Sequence, residues 1–160
     1  GADTLTVRPN AVTWTNNPTH SGNHTFNGTL TFVVNPAGLV TSGSYTPTLV
    51  NGTNVSASTA YPCQYFRVGA IVYVSGLVNI DPTAAGAAHT VLSISLPIAS
   101  NLGNYYELSG CGTDATAGTA NGNSGASIYG DTGANVATMA FHAGSVASAD
   151  WTFSFAYKVT

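Results

Sequence analysis

The clearest pattern in the chain is a period of two residues that runs from Ile71 to Asp81. Val72, Val74, Gly76, Val78 and Ile80 form one apolar face, which predicts a strand over 71–81 set against a core. The opposite face carries Ile71, Tyr73, Ser75, Leu77 and Asn79. A one-sided antiparallel sheet has a hydrophilic back, so three large apolar groups there imply a cover, from a second layer of the chain or a neighbouring copy. The richest alternation closes the sequence: Trp151, Phe153, Phe155, Tyr157 and Val159 share one parity. A chain that ends on a core strand is expected to have its natural C-terminus near Thr160.

Between these two strands the same rhythm recurs. Thr90, Leu92, Ile94 and Leu96 point inward in a strand over 89–96, and Pro97 ends it. Further strands are predicted over 45–50, 64–68, 107–113, 126–129 and 135–142. Turn dipeptides or loops separate them, among them Asn51-Gly52, Gly69-Ala70 and Gly130-Asp131-Thr132-Gly133. Residues 115–125 are small and polar and are expected to form a long exposed loop. No segment carries a 3.6-residue apolar period. About eight short strands at regular spacing predict an all-β protein, a jelly-roll-like antiparallel β-sandwich.

Residues 1–43 read differently. Phe26, Leu30 and Phe32 share a parity in the run 25–34, and Trp14 precedes them. One or two strands bury too little to stand alone, so this segment needs partners. Thr41-Ser42-Gly43 is expected to be a hinge. The chain therefore divides into a leading segment, 1–43, and a β-sandwich domain, 44–160. Trp14, Phe26, Leu30, Phe32, Ile71, Tyr73 and Leu77 are the residues expected at a subunit interface.

Composition narrows the function. Charged residues make up 6% of the chain, against roughly 25% in ordinary soluble domains. With Lys+Arg at 3 and Asp+Glu at 6, no basic patch exists to neutralise phosphates, which argues against nucleic acid. No apolar run reaches the ~18 residues of a membrane-spanning helix, so no membrane insertion is expected. Cys63 and Cys111 are read as buried free thiols in preference to one disulfide. Four Asn-X-Ser/Thr tripeptides, at Asn23, Asn27, Asn51 and Asn54, are ascribed to the abundance of these residues.

Catalytic constellations were sought without success. The acids Asp3, Asp81, Asp114, Asp131 and Asp150 mostly flank turns, where Asp bonds local backbone, and Glu107 begins a strand. No strained nucleophile elbow accompanies His89 or His142, which read as strand-end residues with a wet edge. His20 and His24 would converge if three chains met on an axis, but their spacing is no zinc signature. No catalytic residue, metal or cofactor is assigned. Arg67 is expected to pair with Asp81 or Glu107, or to stack on an aromatic. For sugar recognition the best residues are Tyr105 and Tyr106, one of which should point outward from a strand, with Asn121 and Asn123 on the long loop.

Four segments then combine: Ser44-Tyr45-Thr46-Pro47-Thr48-Leu49, Gln64-Tyr65-Phe66-Arg67-Val68-Gly69, Val74-Ser75-Gly76 and Ser95-Leu96-Pro97-Ile98-Ala99-Ser100. In this order and spacing they resemble the C-terminal head domain of bacteriophage tail fibre and related virion fibre proteins, over about residues 43–160. Ser21-Gly22-Asn23-His24-Thr25-Phe26-Asn27-Gly28-Thr29-Leu30 looks like the end of a fibre shaft. The resemblance implies a homotrimer with a β-sandwich head above an intertwined shaft. It also implies a non-enzymatic structural or adhesive role on the virion, acting at the host cell surface on a glycan or protein receptor. Other virion proteins would be met through an N-terminal part expected to precede this sequence. A capsid-attached head fibre or decoration protein, a monomeric secreted carbohydrate-binding module and a small capsular depolymerase are the alternatives.

Overall fold

The computed structural model describes residues 40–116 and 125–160. Among them are ten strands: β1 (Val40–Tyr45), β2 (Leu49–Asn51), β3 (Val55–Ala60), β4 (Cys63–Val68), β5 (Ile71–Pro82), β6 (Ala88–Ile94), β7 (Leu108–Asp114), β8 (Gly125–Asp131), β9 (Val136–Ala143) and β10 (Ala149–Lys158). A short 3-10 helix, Tyr105–Glu107, precedes β7. All pairings are antiparallel, and they join the strands in the order β1-β4-β5-β10-β7-β8-β9-β6-β2, with β3 also on β5. The expected all-β, antiparallel class holds, with the hydrogen bonds running through one curled sheet.

The two strongest alternations were read correctly. Val72, Val74, Val78 and Ile80 of β5 are buried, as are Trp151, Phe153, Phe155 and Tyr157 of β10. These two strands pair over ten residues, from Ala149 opposite Ile80 to Lys158 opposite Ile71. Their buried side chains belong to one core cluster that continues through Leu92, Ile94, Leu108, Ile128, Met139 and Phe141. Trp151 reaches across to Phe141 on β9, with ring centres 4.1 Å apart.

Glycines make room for these rings. Gly76 of β5 and Gly112 of β7 stand opposite Phe153 on either side, and Gly110 stands opposite Phe155. The two phenylalanine rings stack with centres 5.9 Å apart and planes 9° apart. Strand glycines normally weaken a sheet; here each is covered by an aromatic from the adjacent strand.

Strands β3 and β4 follow one another along the same side of β5. The first pairs with its Val78–Pro82 half and the second with Ile71–Ser75. Pro62 lies in the break between them, where its missing N–H interrupts no ladder. Gly69, at φ 60°, turns β4 into β5. At the far end of the sheet β2 pairs with β6, and it also bonds back to β3. The Asn51 amide donates to Ser56 O (3.4 Å), and the Ser58 hydroxyl donates to Asn51 Oδ1 (2.5 Å). Those contacts bring the two ends of the sheet together and curl it around the core.

Asn54 fixes the corner between β2 and β3. Its backbone is left-handed, φ 59°, which Asn tolerates better than most residues. Its side chain donates to Ala84 O (3.0 Å) and Thr90 Oγ1 (2.7 Å), and accepts from Thr83 Oγ1 (2.6 Å) and Ala84 N (2.7 Å). The amide is fully used inside the fold, which agrees with an incidental Asn-X-Ser tripeptide at this position.

Several expectations are corrected. The hinge residues Thr41, Ser42 and Gly43 lie in β1 and pair with Arg67, Phe66 and Tyr65. The single strand expected over 45–50 is two, split at Thr46–Thr48 around Pro47. β3 was missed because Val55 alone of its six residues is buried. Cys63 is buried but Cys111 is exposed, and both are free thiols. Trp14, Phe26, Leu30, Phe32, His20 and His24 lie outside the described residues, as do Asn121 and Asn123.

Candidate functional site

The outer face of β1, β4 and β5 gathers five large exposed apolar residues. Alternation on β4 sends Cys63, Tyr65 and Arg67 one way and Gln64, Phe66 and Val68 the other. In register, Val40, Val68 and Ile71 form one row, and Ser42, Phe66 and Tyr73 the next. Phe66 is 51% exposed and Tyr73 48%, and their rings stack at 5.4 Å with planes 8° apart. Val40, Val68 and Ile71 are also exposed. No charged side chain occupies this parity of β1, of β4, or of β5 through Leu77. Ile71 and Tyr73, expected on an interface, are therefore exposed together, and Leu77 on the same parity is half-buried.

Sequence reasoning missed Val40, Phe66 and Val68 as members of this patch. The alternation read from Ile71 could have been carried back across the Gly69-Ala70 turn to Val68 and Phe66. Val40 could not be found that way, because its strand was taken for a hinge.

A second feature adjoins the patch. Tyr105 and Tyr106 are 66% and 67% exposed. They stand edge to face, with ring centres 5.7 Å apart. They lie on the 3-10 helix and not on a strand, and both point outward where one was expected to. Gly130 makes this possible: a Cβ there would sit 3.2 Å from Tyr105 O and 3.0 Å from Leu102 Cδ1.

The loop that carries the tyrosines is held firmly. Leu102 is buried, and its N–H donates to Asn135 Oδ1 (2.7 Å). The Ser100 hydroxyl donates to Lys158 O (2.7 Å), and the Tyr157 hydroxyl donates to Ile98 O (2.7 Å). Glu107 accepts from Gly103 N (2.7 Å) and lies 4.0 Å from Lys158 Nζ. Tyr106, Glu107, Ser109, Lys158 and Ile71 thus rim a shallow depression of about 280 Å³. An aromatic wall beside hydroxyl, carboxylate and ammonium groups can stack on an apolar ring face and exchange hydrogen bonds with its substituents.

Arg67 does not pair with Asp81 or Glu107. Its Nε donates to Gly69 O (2.7 Å), which braces the β4–β5 turn. Other acids serve local backbone: Asp131 Oδ1 accepts from Gly133 N (2.8 Å) and Ala134 N (3.0 Å), and Asp114 Oδ1 from Thr116 N (2.8 Å). Asp150 Oδ1 accepts from the Asn79 amide (2.8 Å). Among the described residues no three His, Cys, Asp or Glu side chains gather as a metal-binding group.

Beneath the tyrosine loop, burial pushes the Tyr157 phenol up to about 12, while the bond its oxygen accepts from Ile98 N (3.1 Å) opposes the shift. Burial also raises Tyr45, whose hydroxyl donates to Ser95 O (3.2 Å), and the thiol of Cys63. The ordinary phenol value is about 10, so the unfolded chain loses these protons first. The Tyr157 contribution to stability is therefore complete below about pH 10 and falls as pH rises from there through about 12. Tyr157→Phe is expected to lessen that fall by up to ~1.4 kcal/mol per pH unit across this window. Urea unfolding at about pH 8 and about pH 11.5 measures it; equal losses in parent and variant would refute the assignment.

No family model, curated protein or solved structure matches this chain.

Proposed function

We propose that this chain forms the head of a homotrimeric bacteriophage fibre, a non-enzymatic virion protein that attaches the particle to a host-surface glycan or protein. The observation that carries the reading is the uncharged patch of Val40, Phe66, Val68, Ile71 and Tyr73 on the outer face. Contiguous exposed apolar surface of this kind marks an interaction site. A neighbouring copy is its natural cover, because residues 1–43 also call for partners and closed rotational symmetry buries the same patch on every copy. In this reading the curled sheet is the jelly-roll-like sandwich of the head, and residues 1–43 are the shaft end.

Receptor contact falls to Tyr105 and Tyr106 with the adjoining depression, and to Asn121 and Asn123 on the expectation from sequence. Three such platforms on one axis would multiply weak contacts through avidity. The exposed tyrosine pair also suits a second reading, a monomeric carbohydrate-binding module, in which the apolar patch would have no partner. The capsid-attached head fibre or decoration protein differs from the first reading in where the assembly is mounted.

Glycan-array binding tests attachment. The parent is expected to retain a defined set of saccharides, and Tyr106→Ala to lose at least about tenfold in apparent affinity, the size of one stacking contact. Binding unchanged in both Tyr105→Ala and Tyr106→Ala would remove the platform from the receptor site.

A further inference from the structure

The fold sets His89 on β6 and His142 on β9 directly opposite one another. Both are exposed. Their ring centres are 5.7 Å apart and the planes are inclined at 55°. We propose that this pair is a surface chelate for a divalent transition-metal ion, with His89 and His142 as its two protein ligands.

Zinc–imidazole bonds are about 2.0–2.1 Å long, so two imidazoles that share one ion at a tetrahedral angle have ring centres about 5 Å apart. The observed separation needs to close by only a fraction of an ångström, which rotation of the side chains supplies. Neutral imidazole suits zinc, copper and nickel better than the hard cations magnesium and calcium.

The surroundings permit it. β2, β6, β8 and β9 carry no lysine or arginine to repel a divalent ion. The described basic residues Arg67 and Lys158 lie on β4 and β10. The backbone beneath is well fixed. Thr90 and Phe141, the next residues along each strand, are buried opposite one another, and Ala88 faces Ala143 on the other side. The ligand stems are thereby held in register before the ion arrives, which lowers the ordering cost of binding. Two protein ligands leave the remaining positions to water, so the site is open and exchangeable, unlike a closed four-ligand structural zinc site. Both ligands come from one chain, so the proposal does not depend on the oligomeric state.

The test is titration of the full chain with ZnCl2 and NiCl2, followed by calorimetry and by the imidazole resonances of both residues. One ion per chain is expected at His89 and His142, with the two rings shifting together and MgCl2 without effect. His89→Ala and His142→Ala are each expected to lower the affinity at least tenfold, while His20→Ala/His24→Ala leaves the two ring shifts and their titration midpoint unchanged. Ring resonances that ignore both metals at millimolar concentration would overturn the proposal. So would a His89→Ala/His142→Ala variant that binds as the parent does. The resonances are read on the unmodified chain, so the result does not hang on how the variants fold.

Discussion

Replacing Trp151 with alanine is expected to cost about 3–5 kcal/mol of folding stability, the range for deleting a buried aromatic ring. Trp151 is 0% exposed and sits in β10, which is paired on both sides. Its backbone pairs with Val78 on β5 and Asp114 on β7, while its ring packs on Phe141 of β9. One side chain thereby ties two parts of the sheet that the hydrogen-bond ladder joins only through β7 and β8. A loss of this size is a large share of the ~5–15 kcal/mol that holds a typical domain. Trp151→Phe is expected to cost much less. It keeps most of the ring, and it removes an indole N–H that is buried with no hydrogen-bond partner among the described residues. Urea unfolding of the two variants gives the comparison. Equal midpoints for parent and Trp151→Ala would mean that β9 and β10 do not meet through this ring.

Gly110→Ala is expected to be as damaging, by the opposite cause. A Cβ at this position would lie 2.5 Å from Phe155 Cβ and 2.6 Å from Phe155 Cα, and would press on the Ser154 carbonyl. All three are backbone or side-chain stem of the neighbouring strand, so no rotation relieves them. The β7–β10 ladder would have to part or shift, at a cost of about 3 kcal/mol or more, the upper range for overpacking. Gly125→Ala is the control, since no atom of the described residues lies within 4 Å of an added Cβ there, and it is expected to stay within about 0.5 kcal/mol of the parent. Near-neutral behaviour of Gly110→Ala would show that β7 and β10 are less closely apposed than described.

How legible the fold was depended on how much of each strand faces the core. β5 and β10 could be read residue by residue, because burial of every second side chain leaves a period-two trace. β3, Val-Ser-Ala-Ser-Thr-Ala, left almost none: its place comes from pairing with β5, and register with a distant strand is not written in local sequence. The same limit turned β1 into an expected hinge. It also hid the way β2 reaches β3, which curls the sheet.

The candidate site divides along similar lines. Ile71 and Tyr73 were visible as an apolar back to a core strand. Phe66 and Val68 stack and align with them only through the β4–β5 register. Tyr105 and Tyr106 were singled out, but their setting was misjudged. The turn that projects both outward depends on the space at Gly130 and on the burial of Leu102, neither of which is a property of the Tyr-Tyr pair. The His89–His142 pair lies 53 residues apart in sequence and exists only once β6 and β9 are aligned.

The central claim is that the uncharged face of β1, β4 and β5 is an interface between copies. Light scattering of the purified chain across a dilution series tests it most directly. A particle of three times the 16.2 kDa chain mass is expected, converting to smaller species when Phe66→Ser and Tyr73→Ser are combined. A single 16.2 kDa species at every concentration would contradict the account and leave that face without an occupant.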